Sequence, residues 1–139
     1  MTLQQAIEAV NASGDKAFIP YIMAGDNGLE TLRDTVLRLQ EIGVTTIEIG
    51  IPFTDPVADG PTIEKAGERA LANGTNLRNV LATLQSFAAE VTIPLVAMTY
   101  LNPILAYGAE TFARDARKAG IRGLIVPDMP LEESGIIHE

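Results

Sequence analysis

Leu3, Ala6, Ile7 and Val10 recur at helical spacing and predict a first helix that stops at Gly14. The apolar run from Phe18 to Ala24 ends in Gly25-Asp26 and predicts a buried strand followed by a turn. Leu29, Leu32, Val36 and Leu39 mark the apolar face of a second helix, which stops before Gly43. Val44 to Ile51 is rich in β-branched residues and predicts a second strand, ended by Pro52. A long loop, Phe53 to Pro61, comes after it. Two helical patterns come next, a short one over about Thr62 to Ala72 and a longer one with Leu77, Val80, Leu81, Leu84 and Phe87 on one face. Pro94 to Tyr100 predicts a third strand, closed by Asn102-Pro103. Phe112, Ala113 and Ala116 suggest another helix, ended by Gly120. Gly123 to Val126 predicts a fourth strand, closed by Pro127-Asp128, and a last helix begins at Leu131.

Strands alternate with helices, so the expected class is α/β with a parallel sheet. The strand ends fall at Asp26, Asp55, Asn102 and Asp128, each a polar residue beside Gly or Pro. Ligands of α/β barrels and open α/β sheets bind at the carboxyl ends of strands, so this polar set marks the candidate site. The whole chain, 1–139, reads as one domain. A complete eight-fold βα barrel takes about 250 residues, and four strands amount to the first half of one.

Composition narrows the chemistry. The net charge is −8, which argues against nucleic acid, whose binders carry basic faces. With no cysteine, disulfides, thiolate catalysis and Cys-ligated metals are excluded. The single histidine, His138, stands near the end, where it is expected to be solvated; a Ser-His-Asp triad and a multi-His metal site are not expected. No apolar run reaches the roughly 18 residues of a membrane span, and Met1 to Gln5 lacks the basic-then-apolar pattern of a signal peptide. A soluble, cytoplasmic protein is expected. Neither a dinucleotide fingerprint nor a Walker A loop is present.

Glu48 is the most informative residue. Alternation places Thr46, Glu48 and Gly50 on one face of the second strand and Ile47 and Ile49 on the other. In a sheet covered on both faces this carboxylate is expected to lose solvent, and burial raises a carboxyl pKa, as suits a general acid/base near neutral pH. The bland alternative is a carboxylate satisfied by backbone N–H groups. Asp59, in the loop after the same strand, is by itself a turn residue beside Gly60. Paired with Glu48, it fits a division of acid and base roles between two carboxylates. Asp55 and Asp128 read as turn or helix-cap oxygens, and Asp26 as the cap of the helix near Leu29. Tyr21, Ile63, Met98, Tyr100 and Ile125 form either an apolar, partly aromatic pocket or ordinary core.

The string from Ile47 to Pro61, Ile-Glu-Ile-Gly-Ile-Pro-Phe-Thr-Asp-Pro-Val-Ala-Asp-Gly-Pro, closely resembles the signature of the tryptophan synthase α subunit. Pro20 to Asp26, Met98 to Pro103 and Gly123 to Asp128 resemble further segments of that family in the same order. The resemblance implies a (β/α)8 TIM barrel with an extra N-terminal helix, here about the first four βα units. It implies cleavage of indole-3-glycerol phosphate into indole and glyceraldehyde 3-phosphate. The family's catalytic glutamate falls on Glu48 and its catalytic aspartate on Asp59. Tyr21, Ile63, Met98, Tyr100, Ile125 and Pro127 fall around the indole and propanol part of the substrate. Asp55 and Asn102 fall on loops facing the β subunit, the partner in an α2β2 heterotetramer. That partner owns the pyridoxal phosphate, so no cofactor and no metal are expected in this chain. The family's phosphate site and later strands lie in a second half beyond these residues.

Two other readings compete. A metal-dependent aldolase using the acidic residues is weakened by the lack of histidine ligands. A non-catalytic, self-associating half-barrel is suggested by geometry: four strands leave two open edges and an uncovered inner face. Ile22, Ala24, Met98, Tyr100 and Ile125 are expected on that face. At roughly 25 cal/mol per Å2, covering several hundred Å2 of it again is worth several kcal/mol.

Overall fold

A computed structural model describes residues 2–54 and 60–128. The elements run α1 (Leu3–Ala12), β1 (Tyr21–Met23), α2 (Leu32–Glu41), β2 (Ile47–Gly50), α3 (Pro61–Ala72), α4 (Leu77–Ser86), β3 (Leu95–Met98), α5 (Leu101–Tyr107), α6 (Ala109–Lys118) and β4 (Ile121–Ile125). One turn of 3-10 helix leads into α2 and another comes after α4. The strands form one parallel sheet in the order β1-β2-β3-β4. The α/β class and the alternation expected from sequence are as observed.

Local chemistry sets the helix starts. Thr2 and Gln5 cap α1 reciprocally, and Asn76 and Asn79 do the same for α4. Pro61 occupies the first position of α3, where a missing N–H costs nothing. The same physics explains a helix that sequence reading missed. Asn102-Pro103 does not close a strand but lies in the first turn of α5, whose leading N–H groups have no intrahelical partner in any case. Asp128, arriving from the end of β4, accepts a hydrogen bond from Leu101 N–H at 2.9 Å and so caps α5 from the neighbouring βα unit. The supposed short helix, α3, is longer than α4. Asp26 does not cap the helical segment near Leu29; Gly28 holds that position with no side-chain bond.

The core lies between the sheet and the helices. Ile47, Ile49, Leu95 and Ala97 point outward, almost fully buried against Val36 of α2, Val80, Leu81 and Leu84 of α4, Ile104 of α5 and Phe112 of α6. Ile22 and Leu124 pack on the same cluster. The other face carries the row Tyr21, Glu48, Val96, Gly123, whose members are register partners in turn, and beyond it Met23, Gly50, Met98, Ile125. Helix α1 covers the N-terminal end of this inner face. A Cβ on Gly123 would lie 2.9 Å from Leu3 Cδ2 and 3.2 Å from Val96 Cγ2, so the helix rests directly on the strand.

The inner face is therefore not the set expected. Ile22 and Ala24 belong to the helix-covered core, and Tyr100 is 1% exposed. One residue of offset in β1 exchanges the faces. Ile125, at 41% exposed, meets solvent there, and Met98 is only partly buried. Among the described residues β1 and β4 each pair on one side only, and no helix is long and apolar enough to cross a membrane.

Leu84→Ala should destabilise the fold by about 2–5 kcal/mol, since it removes a side chain 1% exposed at the centre of the helix–sheet layer. Ile42→Ala, at a residue 69% exposed, should stay within about 0.5 kcal/mol. Urea unfolding midpoints compare the two.

Candidate active site

Glu48 enters the inner face because its neighbours leave it no alternative. Ile47 and Ile49 are both fully buried on the helix side, and alternation turns the carboxylate the other way. Its backbone is fixed by Glu48 N–H donating to Pro20 O at 2.9 Å and by pairing with Tyr21 and Val96. The side chain is half-buried rather than buried. The sheet is covered by helices on the outer face; among the described residues α1 reaches the inner one at Gly123 and α3 reaches it at Met23.

Tyr21 stands beside Glu48 on β1 and leans along the strand over Gly50. A Cβ at Gly50 would lie 1.9 Å from Tyr21 Oη, so glycine there makes the room in which the phenol lies. Tyr21 Oη is buried. Met98 and Ile125 continue the same face at the C-terminal ends of β3 and β4. Tyr21, Glu48, Met98 and Ile125 are thus brought together as one surface.

The remaining residues named from sequence divide. Ile63 lies on the first turn of α3 and shares with Tyr21 and Met23 a cavity of about 360 Å3 along β1. Tyr100 is closed off; its ring stacks on Phe53 at 5.3 Å and 27°, tying the start of the β2–α3 loop to the start of α5. Pro127 is an exposed turn residue after β4, and Asn102 is exposed on the first turn of α5. Asp55, Asp59 and His138 lie outside the described residues. No group of three or more His, Cys, Asp or Glu side chains placed to hold a metal occurs among the described residues.

Several residues at this end of the sheet were missed in the sequence. Arg69 of α3 donates from Nε to Asp26 Oδ1 at 2.5 Å and from Nη2 to Oδ2 at 3.1 Å. That hydrogen-bonded guanidinium holds the Asp26 carboxyl below its ordinary value. Asn73 Nδ2 donates to Gly25 O at 3.0 Å and Asp26 O at 3.3 Å. The partners stand more than forty residues apart, beyond the reach of any periodicity. The Asn73-Gly74 pair signals only a helix end.

Comparison with known proteins agrees with this geometry. The family profile described as "Tryptophan synthase alpha chain" matches residues 7–139. The tryptophan synthase alpha chain of Bacillus cereus is 52% identical over 133 residues, 96% of this chain and 52% of its own length. The crystal structure of tryptophan synthase subunit alpha from Legionella pneumophila str. Paris superposes with a TM-score of 0.92 at 39% identity, covering 99% of this chain and 53% of that one. A chain of tryptophan synthase from M. tuberculosis superposes with a TM-score of 0.87 at 37% identity, covering 95% and 54%. The chain spans about half the length of the curated relatives it matches. Its four-stranded parallel sheet corresponds to half of those proteins' TIM barrel, and it belongs to the tryptophan synthase alpha chain family.

Proposed function

We propose that residues 1–139 form a single domain, the N-terminal half of a barrel that cleaves indole-3-glycerol phosphate into indole and glyceraldehyde 3-phosphate. The observation that carries this reading is the placement of Glu48. Its carboxylate stands on the inner face of a parallel sheet, beside Tyr21 and two residues before Gly50 at the end of β2, in a chain of this family. Retro-aldol cleavage needs an electron sink. Glu48 protonates the third carbon of the indole ring and makes an iminium. The side-chain hydroxyl gives up its proton to the resulting carboxylate. The carbon–carbon bond breaks, its electrons restore the indole, and an aldehyde is left. Asp59 holds the ring N–H and stabilises the charge that develops there. Tyr21, Ile63, Met98, Ile125 and Pro127 bound the indole and propanol part. Tyr100 acts from behind this wall, through its stack on Phe53.

The substrate's phosphate is held by a second half, without which positioning fails. No cofactor or metal takes part in this half. Indole passes to a β subunit that carries pyridoxal phosphate, in an α2β2 assembly. Asn102, exposed on α5, and Asp55 face that partner. Neither nucleic acid nor a membrane is a partner, and the site of action is the cytoplasm.

A second reading concerns the 139-residue polypeptide by itself. Among the described residues both outer strands of its sheet pair on one side only, and Ile125 is 41% exposed. A two-fold axis along the barrel axis lets β4 of one copy pair in parallel with β1 of another at both seams. Self-association covers the inner face in this way.

In a barrel completed with the C-terminal half of the Bacillus cereus relative, Glu48→Gln should remove lyase turnover while the protein stays folded. Near-parental turnover would rule out the acid/base role. Asp59→Asn should lower turnover at least about a hundredfold with little loss of stability; failure to fold would favour a turn-forming role instead. The 139-residue polypeptide alone should sediment as a dimer or larger at micromolar concentration and release no indole. A compact monomer that releases indole would contradict both expectations.

A further inference from the structure

We propose that Asp26, Arg69 and Asn73 form a latch that fixes the position of α3 against the C-terminal end of β1, and thereby positions Ile63 and the entry into α3 for the reaction. The latch rests on the lyase reading above. Asp26 and Arg69 lie along the cavity that Tyr21 and Ile63 also line, and in this proposal they and Asn73 act through α3.

Arg69, in α3's last turn, and Asn73, the residue that caps its C-terminus, are four residues apart and reach to the same side. Both reach the turn after β1, but they grip different atoms. Arg69 takes both oxygens of the Asp26 carboxylate in a two-pronged pair, which fixes direction as well as distance. Asn73 takes the carbonyls of Gly25 and Asp26. The turn is also pressed from behind. Gly25 has φ +85°, and a Cβ there would lie 1.9 Å from Oγ1 of Thr75, a residue 3% exposed at the entry to α4. The gripped backbone therefore has little room to move with a shifting helix.

Helix α3 needs such a grip because its own packing is smooth. Its buried face is Ala66, Gly67 and Ala70, and a Cβ on Gly67 would come within 3.6 Å of Met23 Cε. Small side chains on this face interdigitate little and set no unique position along β1. Ile63 lies on the next turn of the same helix, facing the cavity it shares with Tyr21. A slide or tilt of α3 moves Ile63 and Gly60, the residue where the loop bearing Asp59 joins the helix. The ion pair is partly exposed, with side chains 58% and 32% accessible, so it contributes little to global stability. Its contribution is geometric.

The test uses the completed barrel with Arg69→Gln, Asn73→Ala, Arg69→Lys and the charge swap Asp26→Arg/Arg69→Asp. Arg69→Gln and Asn73→Ala should each lower kcat about tenfold, in keeping with the sensitivity of turnover to small misplacements. Amide exchange in the first turn of α3, read at Glu64, should quicken about tenfold while Ile49 and Ala97 in the sheet keep their protection. Arg69→Lys should recover part of kcat and the charge swap more of it. Unchanged exchange at Glu64, or equal acceleration in helix and sheet, would overturn the latch. Retained turnover in Glu48→Gln would instead remove the lyase reading and leave the exchange result standing.

Discussion

Alternation along β2 is the constraint on which the rest depends. Ile47 and Ile49 are fully buried between sheet and helices, and the pleat leaves Glu48 on the opposite face. Slipping β2 by one residue would drive the carboxylate into the apolar layer, at a cost no hydrogen bond nearby offsets. The same pleat aligns Tyr21, Glu48, Val96 and Gly123 across four strands, because parallel register partners share a face. The core and the site are thus two faces of one sheet. What stabilises the first orients the second.

The two ends of that inner face differ. Toward the N-terminal end α1 rests on Gly123 through Leu3. At the C-terminal end the surface is shaped by connections: the Phe53–Tyr100 stack, the Asp128 cap on α5 and the Arg69–Asp26 pair. Each ties the segment that leaves one strand to the neighbouring βα unit. A barrel site assembled from separate loops requires cross-links of this kind, since sheet hydrogen bonds fix the strands but not the loops and helices that extend from them.

Much of this was legible in the sequence. Helical periodicity in α1, α2 and α4, the β-branched run of β2 and the strand-like run from Pro94 to Tyr100 gave the parallel α/β order, and alternation gave the facing of Glu48. The losses have physical causes. Asn102-Pro103 read as a stop because proline breaks helix interiors, whereas in a first turn it breaks nothing. Asp26 read as a local cap because Arg69, its partner, lies 43 residues away. Ile22 and Ala24 alternate with Tyr21, the partner of Glu48, so they face the helices, and with a period of two a one-residue offset exchanges the faces. Tyr100 lies past the end of β3, so strand alternation no longer governs where its ring goes.

The central proposal is that Glu48 of this half supplies the proton-transferring carboxylate of a barrel whose second half holds the substrate's charged end. It is tested most directly by mixing the 139-residue polypeptide with the separately produced C-terminal half of the Bacillus cereus relative and measuring indole release from indole-3-glycerol phosphate. Turnover should appear in the mixture, be absent from either half alone, and vanish when the first half carries Glu48→Gln. Equal turnover with Glu48→Gln in the mixture, or turnover by the second half alone, would contradict the account.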